Sequence, residues 1–312
     1  MRSEEIELSF EWDGLRLTGS LHVPDAGAAV PVVLMMQGSG PADRDSGGYF
    51  VPIRQVFLDR GVATYAFDKP GCGGSDGDWH NHGLVGRAGQ ADRAMEMLRK
   101  QPLVDAARVG IWGHSQSGWL VQMLAGRSSS LAFAIASSAP TITVEEQILY
   151  DLEHGMRHRG LEDDAVREAL DLSRALFQAA VAGEDFESVA RRLLQPAADL
   201  AWFHAYPAVG GVHEWRHLGQ LLGEPFNPLD ALRRVDCPFL AVYGYLDALL
   251  PASEGVEESE LALAESPSAD VTVVGFPDGD HRLQVSGSEA FADGYLELLG
   301  DWIAARIGGA RS

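Results

Sequence analysis

Six short runs of almost unbroken apolar residues constrain the fold of this 312-residue chain more than any other feature: 31–36, 62–67, 109–112, 131–136, 238–243 and 271–276. A strand with one wet face alternates apolar and polar residues. Runs this short that do not alternate suit strands covered on both faces of a parallel sheet. Helical patterns over 50–60, 85–100, 119–126 and 288–306 lie between or after the runs. Such alternation predicts an α/β fold, a mostly parallel sheet with right-handed crossovers and helices on both faces. Ahead of the first run, 6–10 and 15–23 alternate around Asp13-Gly14, which predicts an antiparallel hairpin.

One segment breaks the alternation. Residues 141–230 contain no convincing strand, and 144–159, 163–182 and 186–194 carry apolar residues at helical spacing. Val166, Leu170, Leu172, Leu176 and Phe177 form one stripe, with Asp163, Asp164, Arg167, Glu168 and Asp171 on the other side. The chain therefore divides into an α/β core, 1–140 and 231–312, and a helical insertion, 141–230, expected to sit above the carboxyl edge of the sheet. No internal repeat or low-complexity segment is present.

The run Gly113-His114-Ser115-Gln116-Ser117-Gly118 stands where the apolar stretch ending at Trp112 meets the helical pattern from Trp119. A serine on a strand-to-helix turn of this kind has a strained backbone and an outward hydroxyl. Gly113 permits the tight fold. The residue two places after the serine is expected to be small, because helix and strand cross closely, and Ser117 stands there where glycine is usual.

Two further residues fit this serine. Asp247 follows the run 238–243, and His281 follows the run 271–276, so all three would emerge at the carboxyl ends of parallel strands. His281 would take the proton from Ser115 while Asp247 holds the imidazole in the correct tautomer. Asp278 and Asp280 flank His281 in the same short turn and are poorly placed to orient its ring. Taken singly, Asp247 could cap a turn and His281 could be a solvated loop residue. Backbone N–H groups must hold the negative charge of a tetrahedral intermediate. The amide of Gln116, just after the nucleophile, would give one, and that of Ser39, in the loop 37–41, the other. The plain alternative for that loop is a Gly/Pro turn.

Composition narrows the partners. A formal charge of −21 and an isoelectric point near 4.7 oppose binding to nucleic acid or an anionic membrane surface. The acidic start has no apolar signal run, and no stretch is long and apolar enough to span a bilayer, which predicts a cytoplasmic protein. Cys72 and Cys237 cannot by themselves form a disulfide framework or a metal site. Trp119, Trp202, Phe203, Tyr206 and Trp215 could line an apolar substrate pocket, but could equally form the core of the insertion or a homodimer interface. His154 and His158 stand four apart without a nearby third ligand, so no metal is expected. Arg44 and Asp45 could pair with each other or touch a substrate.

Together, Gln37-Gly-Ser-Gly-Pro-Ala-Asp-Arg-Asp45, Asp68-Lys-Pro-Gly-Cys-Gly-Gly-Ser-Asp76, Gly113-His-Ser-Gln-Ser117, the Gly244-to-Asp247 spacing and Gly279-Asp-His281 resemble the α/β-hydrolase superfamily. The nearest likeness is to serine carboxylesterases and to dienelactone-hydrolase-like or prolyl-oligopeptidase-like bacterial hydrolases, many of which carry a helical lid. The resemblance spans nearly the whole chain outside 141–230. It implies an eight-stranded sheet, the triad Ser115, Asp247 and His281, and no cofactor. Two departures are Ser117 in place of glycine and Lys69-Pro70 after Asp68, where arginine is common. The expected activity is hydrolysis of a carboxylic ester of a small or medium apolar substrate through an acyl-enzyme. A thioesterase, peptidase or acyltransferase would use the same residues, although the chain has no room for a peptidase's propeller. A non-catalytic ligand-binding protein on this scaffold and a lyase also remain open.

Overall fold

The computed structural model describes residues 3–127, 130–207 and 211–307. Eight strands form one sheet in the order β1-β2-β4-β3-β5-β6-β7-β8. They are β1 (Ser3–Trp12), β2 (Leu15–Pro24), β3 (Val30–Met36), β4 (Ala63–Phe67), β5 (Val104–His114), β6 (Ala134–Ser137), β7 (Phe239–Gly244) and β8 (Val271–Phe276). β2 runs antiparallel to both β1 and β4, and every pairing from β4 to β8 is parallel. The hairpin pairs Trp12 with Leu15 across Asp13 and Gly14, whose φ values of 49° and 75° suit the tight turn expected from that pair.

The absence of alternation in the apolar runs follows from two cores, one on each face. Val32, Leu34 and Met36 point into one with α2 (Leu84–Leu98) and α3 (Gln116–Ala125). Their neighbours Val33 and Met35 point into the other with α1 (Phe50–Asp59) and α11 (Tyr295–Ile307). Side chains such as Trp112, Phe57 and Phe133 are fully enclosed there. Each large apolar side chain so buried contributes about 1.5–3 kcal/mol. β8 is the exception to full burial. It is one of the sheet's two edge strands, opposite β1, and 271–275 are only half-buried.

Between β6 and β7 the described residues form no strand, and the α-helices there are α4 (Val144–His158), α5 (Asp163–Val181), α6 (Phe186–Val189), α7 (Gln195–Ala197), α8 (Val212–Gly223) and α9 (Pro228–Leu232). Thr143 and Glu146 close a capping box at the start of α4. The insertion has its own cores, one around Leu152, Met156, Val166 and Trp202, the other around Leu176, Val189 and Trp215. The boundary expected at 230/231 falls inside α9, which packs on α3 and buries Leu232 in the main core.

The helix expected over 288–306 starts only at Tyr295. Residues before it form bridges, Gln284 to Phe291 and Gly279 to Val285, and Gly287 and Gly294 adopt φ values of 74° and 84° that break a helix. Helices α8 and α10 (Ala252–Ala264) carry no prior expectation. Among the described residues, no helix is long and apolar enough to cross a membrane.

Candidate active site

β5 ends at His114 and α3 begins at Gln116, so Ser115 alone makes the turn. Its φ of 57° and ψ of −123° are strained for a residue with a side chain, at a cost of about 1–3 kcal/mol. Hydrogen bonds from Ser115 N to the Ser137 carbonyl (3.0 Å) and from Gly118 N to the Ser115 carbonyl (2.7 Å) hold it. The close crossing expected at this turn exists. A Cβ on Gly113 would lie 2.6 Å from the Ser117 carbonyl oxygen, and one on Gly118 would lie 2.3 Å from Ala139 Cβ. The need for absent side chains thus falls on 113 and 118. Ser117 is fully buried and turns its hydroxyl to the Gln37 carbonyl.

The loops after β7 and β8 are laced together: Tyr245 N donates to the Phe276 carbonyl and Leu246 N to the Gly279 carbonyl, both at 2.9 Å. They approach so closely that a Cβ on Gly244 would sit 2.3 Å from the Gly279 carbonyl oxygen. This contact sets Asp247 beside His281. Asp247 Oδ1 accepts from the amides of Leu249 (2.8 Å) and Leu250 (3.1 Å), while Oδ2 lies 2.7 Å from His281 Nδ1. The opposite ring nitrogen, Nε2, lies 2.8 Å from Ser115 Oγ. The Asp247 side chain is 1% exposed, so water competes little for its charge. Asp280 is occupied elsewhere, accepting from the amides of Arg282 and Gln284. A carboxylate, imidazole and hydroxyl in this relay can activate the hydroxyl as a nucleophile.

Ser115 and His281 face a cleft of about 580 Å³ lined also by Gly38, Ser39, Pro41, Tyr49, Leu249 and Arg282, among others, with Asp247 buried behind His281. Gly38 approaches the nucleophile closely: a Cβ there would lie 3.1 Å from Ser115 Cβ. Gln116 opens α3, so its N–H has no acceptor within the helix. Behind this loop lie two buried basic side chains, Lys69 and Arg87, 3% and 5% exposed; burial holds Lys69 well below the usual lysine range and pushes Arg87 down to about 9. His114 also lines the cleft, its ring centroid 5.0 Å from that of His281. Burial, reinforced by the neighbouring His281 and Arg282, holds it well below the usual histidine range. Lys69, Arg87 and His114 escaped the sequence reading. A lysine after Asp68 stood out only as a departure, and nothing local marks an arginine on α2 as an inward-facing residue.

The aromatic side chains expected to line a pocket lie elsewhere. Trp119 is buried in the main core and donates to the Ile142 carbonyl, and Trp202, with Phe203 and Tyr206 around it, packs inside the insertion and donates to Glu168. Trp215 donates to the Glu184 carbonyl in the insertion's second core. Tyr206 lines a smaller apolar cavity with Ile148, Leu176 and Phe177. None of the five is in the lining of the Ser115 cleft, because the main core claims Trp119 and packing inside the insertion claims the other four. Arg44 and Asp45 do not pair with each other: Arg44 forks onto buried Asp68, and Asp45 pairs with Arg54. Cys72 lies half-buried in a loop and Cys237 is buried, its thiol pushed up to about 12 by burial.

Away from the cleft, Asp78, His80 and His213 bring a carboxylate and two imidazoles within 4.8 Å of one another, a donor set that could take a metal ion. Here Asp78 shares a hydrogen bond with His80 Nδ1 at 2.7 Å and lies 3.3 Å from His213 Nδ1, so that the cluster brings α8 of the insertion against the core.

The alpha/beta hydrolase family model matches residues 33–294, and the chain belongs to that family. No curated protein is a significant sequence match. Among solved structures, Est1E from Butyrivibrio proteoclasticus with bound ferulic acid shares the fold at TM-score 0.62 and 18% identity, covering 97% of this chain and 100% of its own. The Pyrococcus furiosus esterase Pf2001 does so at TM-score 0.62 and 17% identity, over 98% and 92%. A putative dienelactone hydrolase from Klebsiella pneumoniae subsp. pneumoniae does so at TM-score 0.61 and 13% identity, over 99% and 100%. At such identities the likeness is one of fold, and an alpha/beta hydrolase is the class to which fold and family point.

Proposed function

We propose that the protein is a serine hydrolase that cleaves a carboxylic ester of a small or medium substrate through an acyl-enzyme. The observation that carries this reading is the relay from Asp247 Oδ2 to His281 Nδ1 (2.7 Å) and from His281 Nε2 to Ser115 Oγ (2.8 Å), opening on the cleft. Ser115 Oγ attacks the ester carbonyl carbon as His281 Nε2 accepts its proton. The carbonyl oxygen takes the negative charge, held by the amides of Ser39 and Gln116, each such donor contributing roughly 10²–10³ in rate. Collapse breaks the bond to the alcohol, which leaves with the proton from His281. Water, deprotonated by His281, then attacks the acyl-Ser115 ester, and the second collapse releases the acid and restores the hydroxyl. Asp247 keeps the ring oriented and stabilises its cationic form.

The lining combines Pro41, Ala42, Tyr49 and Leu249 with Ser39, Asp43, Ser46 and Arg282, which favours a substrate with an apolar body and a polar substituent. Residues 141–230 act as a cap over the cleft. Gln147 of α4 donates to the carbonyl of Leu249, a lining residue, at 3.3 Å, which supports this role. Two unbridged cysteines fit a cytoplasmic setting.

The test is steady-state turnover of p-nitrophenyl esters of graded acyl length by the wild type and by Ser115→Ala. Turnover that falls by several orders of magnitude in the variant supports the reading. Turnover that survives the substitution contradicts it.

A further inference from the structure

Arg87 lies in the first turns of α2 and points inward. Its Nη2 donates to the Gln37 carbonyl (2.7 Å) and to Ser117 Oγ (3.0 Å), and its Nη1 to Gln116 Oε1 and, at 3.4 Å, to the Gly38 carbonyl. Lys69, just after β4, donates through Nζ to the carbonyls of Gly38 and Gly40. Ser117 Oγ completes the web by donating to the Gln37 carbonyl. Among the described residues, neither cation belongs to an ion pair with a carboxylate, although both are buried.

Two physical consequences follow. In a planar trans peptide the C=O and N–H point in opposite directions. Drawing the Gly38 carbonyl inward to Lys69 therefore turns the Ser39 N–H outward, on the side where Ser39 lines the cleft with Ser115. Arg87 meanwhile grips both contributors to the oxyanion site, the loop 37–38 through its carbonyls and Gln116 through its side chain. The second consequence is electrostatic. A buried guanidinium without a counter-ion is unfavourable, and a negative charge that would match Arg87 develops when a tetrahedral intermediate forms nearby.

We propose that Arg87 and Lys69 are positioning residues of the oxyanion hole, aligning the Ser39 and Gln116 amides, with the Arg87 guanidinium setting unneutralised positive charge behind them. This rests on the hydrolase reading of Ser115. It also accounts for Ser117, whose hydroxyl takes part in the web as no glycine could.

The experiment compares wild type with Arg87→Gln, Lys69→Met and Ser117→Ala. It reads kcat and KM for a p-nitrophenyl ester, inhibition by a trifluoromethyl ketone, and the rate at which a fluorophosphonate labels Ser115. The expected result is a kcat lower by about 10²-fold in Arg87→Gln and about tenfold in Ser117→Ala, with KM within about threefold. Ketone affinity and labelling rate should fall in parallel with kcat. Folded variants whose kcat and labelling rate stay within about threefold of wild type, or whose loss lies only in KM, overturn the proposal. Should the two cation variants fail to fold, Ser117→Ala alone decides. A wild type that labels but turns over no ester sinks the hydrolase reading, and the labelling rates still decide the clamp. A wild type that does neither overturns both.

Discussion

The Ser117 hydroxyl accepts a hydrogen bond from the Arg87 guanidinium at 3.0 Å and donates one to the Gln37 carbonyl, tying the start of α3 to the loop after β3. The glycine usual at this place could do neither.

Ser117→Ala should therefore destabilise the protein by about 1–3 kcal/mol, since it leaves a buried Arg87 donor and the Gln37 carbonyl each short of a partner. Urea unfolding measures this. An unchanged midpoint at unchanged slope would mean that the web adds nothing to stability.

The strain at Ser115 predicts an opposite effect. Ser115→Gly should be more stable than Ser115→Ala by about 1 kcal/mol, because glycine adopts the φ of 57° freely and offsets its own greater unfolded-state entropy. Both variants lose the bond to His281, so their difference isolates the backbone. Equal stabilities would show that the turn stores no strain.

Much of the core was legible in the sequence because unbroken apolar runs arise when successive residues face two different cores, as Val32 and Val33 do. The Ser115 turn and the loops bearing Asp247 and His281 were legible for a related reason: each directly follows a parallel strand with an apolar run, so its place at the sheet's carboxyl edge is set by the strand. Where local sequence does not decide contacts, legibility ended. Trp202 and Trp215 have the same composition signal whether they face a substrate or a helix, and packing within the insertion chose the latter. Arg87 sits in a helix of mixed polarity, and only the tertiary structure brings α2 against the loop 37–40. The helix expected from 288 starts only after Gly294, which adopts a positive φ that a helical apolar pattern does not reveal.

Asp247→Asn should lower kcat by about 10³–10⁴-fold with little change in KM. Its remaining oxygen can still accept from Leu249 and Leu250, but an amide facing His281 Nδ1 favours the wrong tautomer. Steady-state kinetics checks this, and a loss below about tenfold would remove Asp247 from the orienting role.

His217, on α8, gives the stability a pH dependence. Burial, with the charges of Arg87 and Lys69 adding to it against a hydrogen bond to the His80 carbonyl, lowers its pKa from 6.5 to about 4. Between those values the unfolded chain binds the extra proton, so stability is full above pH 6.5 and declines as pH falls towards 4. Urea unfolding at pH 7 and pH 4.5 should show the wild type losing on the order of 2–3 kcal/mol more than His217→Asn over that interval. Equal losses would mean that His217 is not held neutral by folding.

The central claim is that Ser115 is acylated. Its most direct test is intact-protein mass spectrometry on acid-quenched mixtures with a p-nitrophenyl ester, followed by peptide mapping. The account predicts an added mass of one acyl group, located on Ser115 and absent from Ser115→Ala. Ester hydrolysis with the adduct on another residue, or an adduct that persists in Ser115→Ala, would contradict it.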